Sequence, residues 1–163
     1  MTVDKHVAAE VAVAPIVAQV RVSAPPATVF EAFTARMERW WDPGHSIGAQ
    51  PFTRIGLEPE VGGRWYERDA AGVECDWGRV LAWEPPSRVL LTWQIGADWT
   101  YDPALVTQVE VTFTPADGGG TLVRLEHRGL ESYGAAAAEM SATYGSAHGW
   151  AGLLERLGAR LGA

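Results

Sequence analysis

Between residues 16 and 22 the apolar side chains of Ile16, Ala18, Val20 and Val22 fall on one face and Gln19 and Arg21 on the other. That period of two is the signature of a strand with one face buried. Ala24-Pro25-Pro26 then supplies a helix start, and Val29, Phe30 and Phe33 recur at helical spacing. A second short helix carries Met37, Trp40 and Trp41 until Asp42-Pro43-Gly44 stops it. From 52 to 130 the pattern changes to strands and tight turns, with strands expected at 52–59, 63–69, 74–84, 87–95, 105–115 and 121–129. Ala70-Ala71-Gly72, Pro85-Pro86 and Gly118-Gly119-Gly120 mark turns between them. From about Ala135 the stripe Met140, Thr143, Ala147, Trp150, Leu153, Leu154, Leu157 and Leu161 predicts one long amphipathic C-terminal helix.

This order predicts an α+β domain of about seven antiparallel strands with a single long helix to cover the apolar face of the sheet. One helix is narrower than seven strands, so the sheet has to curl around it while the two short helices plug one end. A cavity is the expected by-product. The first fifteen residues lack a period and end at Pro15, which predicts a flexible leader over 1–15 and one domain over 16–163.

Composition narrows the partners. The net charge is -7, with twelve arginines and Lys5 as the lone lysine, and no basic stripe suited to a nucleic-acid backbone. The apolar runs fall well short of the ~20 residues of a membrane helix. Cys75 is the lone cysteine and no export signal precedes the fold, so the cytoplasm is the expected compartment. No spacing of His, Cys or carboxylates suggests a metal site and no glycine-rich loop follows a strand, so no cofactor is expected. Eight tryptophans are a heavy load for 163 residues, and such side chains serve cavity walls as well as cores.

Three stretches resemble a known family: Trp40-Trp41-Asp42-Pro43, then Glu58-Pro59-Glu60-Val61-Gly62-Gly63-Arg64-Trp65, then Gly78-Arg79-Val80-Leu81-Ala82-Trp83-Glu84-Pro85-Pro86 and on to Trp93. The strand Thr121–Leu130 and Gly149-Trp150, with Leu153, Leu154 and Leu157 behind it, continue the likeness in order over about 16–161. Together they resemble the homologues of the activator of the heat-shock-protein-90 ATPase, within the START or birch-pollen-allergen-like (SRPBCC) superfamily. The resemblance implies a helix-grip fold and, as in many relatives, a hydrophobic cavity that binds lipids, polyketides or other apolar molecules.

Strand parity nominates side chains that could face such a pocket. His127 shares a face with Val123 and Leu125, as a core histidine held by hydrogen bonds or as a group that touches ligand or moves protons. Trp77, Arg79 and Trp83 share a face of one strand with Leu81, and Trp65 and Glu67 share a face of another. A buried Arg79 would need Glu67 as a partner, unless a bulge lets both reach water. Val89, Leu91 and Trp93, with Val111 and Phe113, are expected as core or pocket wall. Trp41 and Trp150 are expected at the pocket, with Thr143 and Ala147 small enough to leave room for a ligand. His148 is expected to face solvent.

Three functions fit these residues. The leading one is binding or carriage of a small hydrophobic or aromatic ligand in the internal pocket, without a requirement for catalysis. The others are a polyketide cyclase or hydrolase in which His127, with Glu67 or Arg79, moves a proton, and a co-chaperone-like protein-interaction domain. A homodimer is a further possibility; a nucleic-acid or membrane partner is not expected.

Overall fold

The computed structural model describes residues 13–162; residues 1–12, most of the expected leader, and Ala163 lie outside that range. Strand β1 (Ile16–Val22) is followed by helix α1 (Pro26–Ala35) and a short 3-10 turn at Met37–Arg39. Six strands come next: β2 (Phe52–Leu57), β3 (Arg64–Asp69), β4 (Glu74–Glu84), β5 (Arg88–Trp93), β6 (Thr107–Pro115) and β7 (Thr121–Arg128). A 3-10 segment at Leu130–Ala136, helix α2 (Ala137–Tyr144) and helix α3 (Trp150–Leu161) close the chain. The strands form one antiparallel sheet in the order β1-β7-β6-β5-β4-β3-β2. This curled sheet around a C-terminal helix is the helix-grip α+β fold. Among the described residues no helix is long and apolar enough to cross a membrane.

Local chemistry accounts for the elements. Pro26 opens α1, where a missing N–H costs nothing, and Val29, Phe30 and Phe33 turn inward at helical spacing. In β6 and β7 the alternation is strict: Val109, Val111 and Phe113, then Val123, Leu125 and His127, are all buried. Seven strands span about 29 Å at ~4.8 Å each, whereas a helix is about 10 Å across. Helix α3 covers the β1 side with Trp150, Leu153, Leu154 and Leu157, and the remaining concave surface is filled by Phe30, Phe33, Trp40 and Trp41. Phe113 receives the rings of Phe30 and Phe33 edge-on, at 5.2 and 5.6 Å between centroids.

Two departures from the sequence pattern shape the site. The C-terminal stripe is carried by two helices, because residues 145–149 break between them. Gly149 makes the break possible: a Cβ there would collide with the carbonyl of Tyr144, so the chain closes tightly on itself. As a result Tyr144 is buried where Thr143 was expected, and Ala147 lies exposed in the turn. The second departure is in β4. Pairing of Trp65 with Gly78 and Tyr66 with Asp76 leaves Trp77 unpaired, and pairing of Val80 with Leu91 and Ala82 with Leu90 leaves Leu81 unpaired. These two bulges reverse the parity, so Trp77 and Val80 are buried while Leu81 is 41 % exposed and Arg79 reaches solvent.

Leu157 is fully buried on α3, and its truncation removes apolar contact from the core and leaves a cavity there. Leu157→Ala is expected to lower stability by about 2–5 kcal/mol in urea titration. A loss below about 1 kcal/mol would mean that α3 is not the principal cover of the sheet.

Candidate functional site

A cavity of about 420 Å³ opens at one end of the sheet, where the loop after Asp42, the end of β5, the loop after Ile95 and the junction of α2 with α3 meet. Its walls are aromatic: Trp41, Trp77, Trp93, Trp99, Tyr144 and Trp150, with Ile47, Ile95 and Leu153 among them. The tryptophans brace one another edge-on or tilted, with Trp93 and Trp150 at 5.2 Å and Trp41 and Trp77 at 5.1 Å between ring centroids. Such contacts fix ring planes, so the cavity has a defined shape before any ligand enters.

Glu67 holds the loop that forms one lip. It is 2 % exposed and accepts hydrogen bonds from the backbone N–H of Ile47 (2.8 Å) and Gly48 (3.2 Å), from Trp77 Nε1 (3.0 Å) and from the Ser46 hydroxyl. Four donors spread the carboxylate charge, and among the described residues it takes part in no ion pair. The loop is therefore tied to the sheet, and its His45 and Ser46 are held at the cavity. Asp42 accepts the Gly44 N–H at 2.9 Å and approaches His45 Nε2 at 3.7 Å. The opposite lip carries Trp99, 43 % exposed and held at φ 63°, a left-handed conformation that costs a bulky residue about 1–2 kcal/mol. Its ring meets Tyr144 edge-on at 6.1 Å.

Behind the aromatic wall every hydrogen takes a definite place. Trp150 Nε1 donates to His127 Nδ1 at 3.0 Å, so the neutral ring carries its proton on Nε2 and donates to Thr107 Oγ1 at 2.8 Å. Thr107 in turn donates to the Trp93 carbonyl at 2.8 Å. From the Trp93 side chain, Nε1 donates to Tyr144 Oη (2.9 Å), Tyr144 to Tyr133 Oη (2.8 Å), and Tyr133 to the Ile95 carbonyl (2.6 Å). Burial lowers the His127 pKa to about 3 and pushes those of Tyr144 and Tyr133 up, so all three stay neutral near pH 7. Burial, followed by the nearby Glu67, Asp69 and Asp76 carboxylates, also raises Cys75, which keeps its thiol protonated.

Of the residues nominated from sequence, Trp41, Trp77, Trp93, Thr143 and Trp150 border the cavity. Trp65 stands one layer behind them, with its Nε1 on Met37 Sδ at 3.3 Å. Trp83 packs edge-on against Phe30 at the far end, and Val89, Leu91, Val111 and Phe113 are core beneath α1. His127 does not reach the cavity, because both nitrogens are engaged by side chains. Arg79 and Glu67 do not meet: Arg79 lies 3.8 Å from Asp76, and Glu67 serves the loop. Ala147 is in the exposed turn, and His148 is exposed, as expected, yet at the cavity rim. Sequence reading missed His45, Trp99 and Tyr144. The first two sit on loops with no periodicity, and Tyr144 was displaced from the stripe by the helix break. Among the described residues no group of His, Cys, Asp and Glu is placed to hold a metal ion.

The family model described as Activator of Hsp90 ATPase homolog 1-like protein matches residues 23–162. Comparison with curated proteins found no match. Among solved structures, an anthrahydroquino-gamma-pyrone synthase is 36% identical, with a TM-score of 0.64 over 91% of this chain and 97% of that one. A self-sacrificing resistance protein from Micromonospora echinospora is 25% identical, with a TM-score of 0.63 over 91% and 94%. The Aha1 dimer from Colwellia psychrerythraea, 18% identical with a TM-score of 0.60 over 91% and 96%, shares the fold.

The depressed His127 pKa has a measurable consequence. In the unfolded chain a histidine takes up its proton near pH 6.5, while the folded protein refuses it until about pH 3. The stability contributed by the neutral ring is therefore complete above about pH 6.5 and is lost as pH falls toward about 3. Between about pH 7 and 5 the wild type should lose about 2 kcal/mol more than His127→Phe in denaturant titrations. Parallel pH dependence in the two proteins would show that His127 is accessible to protons in the native state.

Proposed function

The chain belongs to the family of Activator of Hsp90 ATPase homolog 1-like proteins, and from that premise we propose that it binds a planar polycyclic aromatic molecule of the polyketide type in its tryptophan-walled cavity. The observation that carries this reading is the wall itself, five indoles facing one space of about 420 Å³. That volume suits a small organic ligand. Flat, fixed ring faces select flat ligands, since an aromatic guest gains contact over its whole surface while a flexible chain has to give up its conformational freedom. Trp99 adds to the argument: an exposed indole in a strained backbone conformation at the mouth is poised to cover a bound ring system. The synthase relative is named for an anthrahydroquino-gamma-pyrone, itself a fused-ring molecule.

A second reading, a cyclase acting on such a molecule, is favoured by His45 and His148 at the rim, with the Asp42 carboxylate 3.7 Å from His45. Here His45, and not the buried His127, is the candidate proton acceptor. Loss of a general base would cost turnover about 100- to 10,000-fold in His45→Phe with little change in affinity.

Titration with anthraquinone-2-sulfonate is expected to quench tryptophan fluorescence saturably. Trp99→Ala should weaken binding several-fold, about 1 kcal/mol, while Leu81→Ala on the outer face leaves it unchanged. Absence of saturable quenching by this and related polycyclic aromatics would contradict the proposal.

A further inference from the structure

Six tryptophans are buried: Trp40, Trp41, Trp65, Trp77, Trp93 and Trp150. Five of their indole N–H groups are engaged. Trp40 donates to the Ala32 carbonyl, Trp65 to Met37 Sδ, Trp77 to Glu67, Trp93 to Tyr144 and Trp150 to His127. Trp41 is the exception: its Nε1 is buried and has no partner, the one such side-chain nitrogen or oxygen among the described residues. Trp41 is 2 % exposed and borders the cavity.

The other polar groups in and directly behind the inner wall have no hydrogen to spare. Tyr144 gives its own to Tyr133, and His127 gives its Nε2 proton to Thr107. Nearer the rim, Thr143 Oγ1 donates to the Glu139 carbonyl and Ser146 Oγ to that of Thr143. A buried donor left unpaired is unfavourable, and native proteins keep few of them without a reason. Trp41 borders the cavity, where an acceptor can arrive from outside.

Resting on the cavity as a binding site, we infer that Trp41 Nε1 is the donor of the inner wall that reads the ligand, and that the ligand carries a ring carbonyl or comparable acceptor. The molecule is thus of the quinone or pyrone kind, and a bare aromatic hydrocarbon of the same shape fits less well. The indole N–H, being uncharged and surrounded by rings, suits a neutral carbonyl oxygen better than an anion, which would need more donors than one to leave water. Discrimination against an analogue that lacks the acceptor arises because it fills the cavity and leaves the Trp41 N–H unpaired.

Two probes of one tricyclic shape separate the possibilities: anthraquinone-2-sulfonate, which carries ring carbonyls, and anthracene-2-sulfonate, which does not. Dissociation constants from calorimetry should favour the quinone by about tenfold in the wild type, the value of one hydrogen bond. In a ¹⁵N-labelled sample the Trp41 indole proton, assigned by triple resonance, should move downfield with the quinone and not with the anthracene. The preference should vanish in Trp41→Phe; should that variant fail to fold, the two-probe comparison and the indole shift in the wild type decide alone. Equal affinity for both probes with an unmoved Trp41 proton would overturn the inference and leave the cavity reading standing, with a trapped water as the partner of Nε1. Binding of neither probe would overturn both.

Discussion

A line of buried hydrogen bonds, each with its proton placed, ties the C-terminal helices to the sheet. It enters from α3 at Trp150, crosses to β7 at His127 and to β6 at Thr107, and reaches β5 at the Trp93 carbonyl. The Trp93 side chain then sends it back to α2 at Tyr144 and through Tyr133 to the Ile95 carbonyl. Each acceptor in this line leaves one orientation for the next donor. A ring flip, a tautomer change or a protonation at His127 would leave at least two buried groups unpaired. The rest of the site depends on it, because the same Trp93, Trp150 and Tyr144 that make these bonds line the cavity.

That arrangement explains how a cavity survives in a chain so rich in large side chains. Collapse of the wall would gain dispersion contacts, but Trp93, Trp150 and Tyr144 cannot move inward without breaking the line. Glu67 does the equivalent for the loop side, where one carboxylate gathers Ser46, Ile47, Gly48 and Trp77. The two devices stand on either side of Trp41, which has neither. A cavity whose walls are held from both sides keeps its shape before any ligand enters, so little ordering is left to be done on binding.

The sheet was readable from sequence because β1, β6 and β7 keep their alternation and turns with glycine or proline separate the strands. The family likeness rested on those same turns and on Trp40-Trp41-Asp42-Pro43. The site was less readable, for physical reasons. Bulges at Trp77 and Leu81 reverse parity inside one strand, so of the two places that sequence left open for Arg79, paired with Glu67 or out in water through a bulge, the structure takes the second. Five residues between α2 and α3 break a stripe whose spacing still satisfied a helix, which brought the buried Tyr144 to the cavity beside Thr143 and hid the break at Ala147. His127 was correctly recognised as inward-facing. Its two partners, Thr107 and Trp150, come from elements 20 and 23 residues away, and pairing at that distance leaves no periodic trace. The lips of the cavity, at His45 and Trp99, are loops and carry no period at all.

The central claim is that His127 is a neutral, proton-ordered strut and takes no part in chemistry at the cavity. Long-range ¹H–¹⁵N spectra of the imidazole ring test it directly. The account predicts a single Nε2–H tautomer, with Nδ1 unprotonated and hydrogen-bonded, that persists unchanged from about pH 7 to about pH 5. A ring that titrates near neutrality, or one that carries its proton on Nδ1, would contradict it.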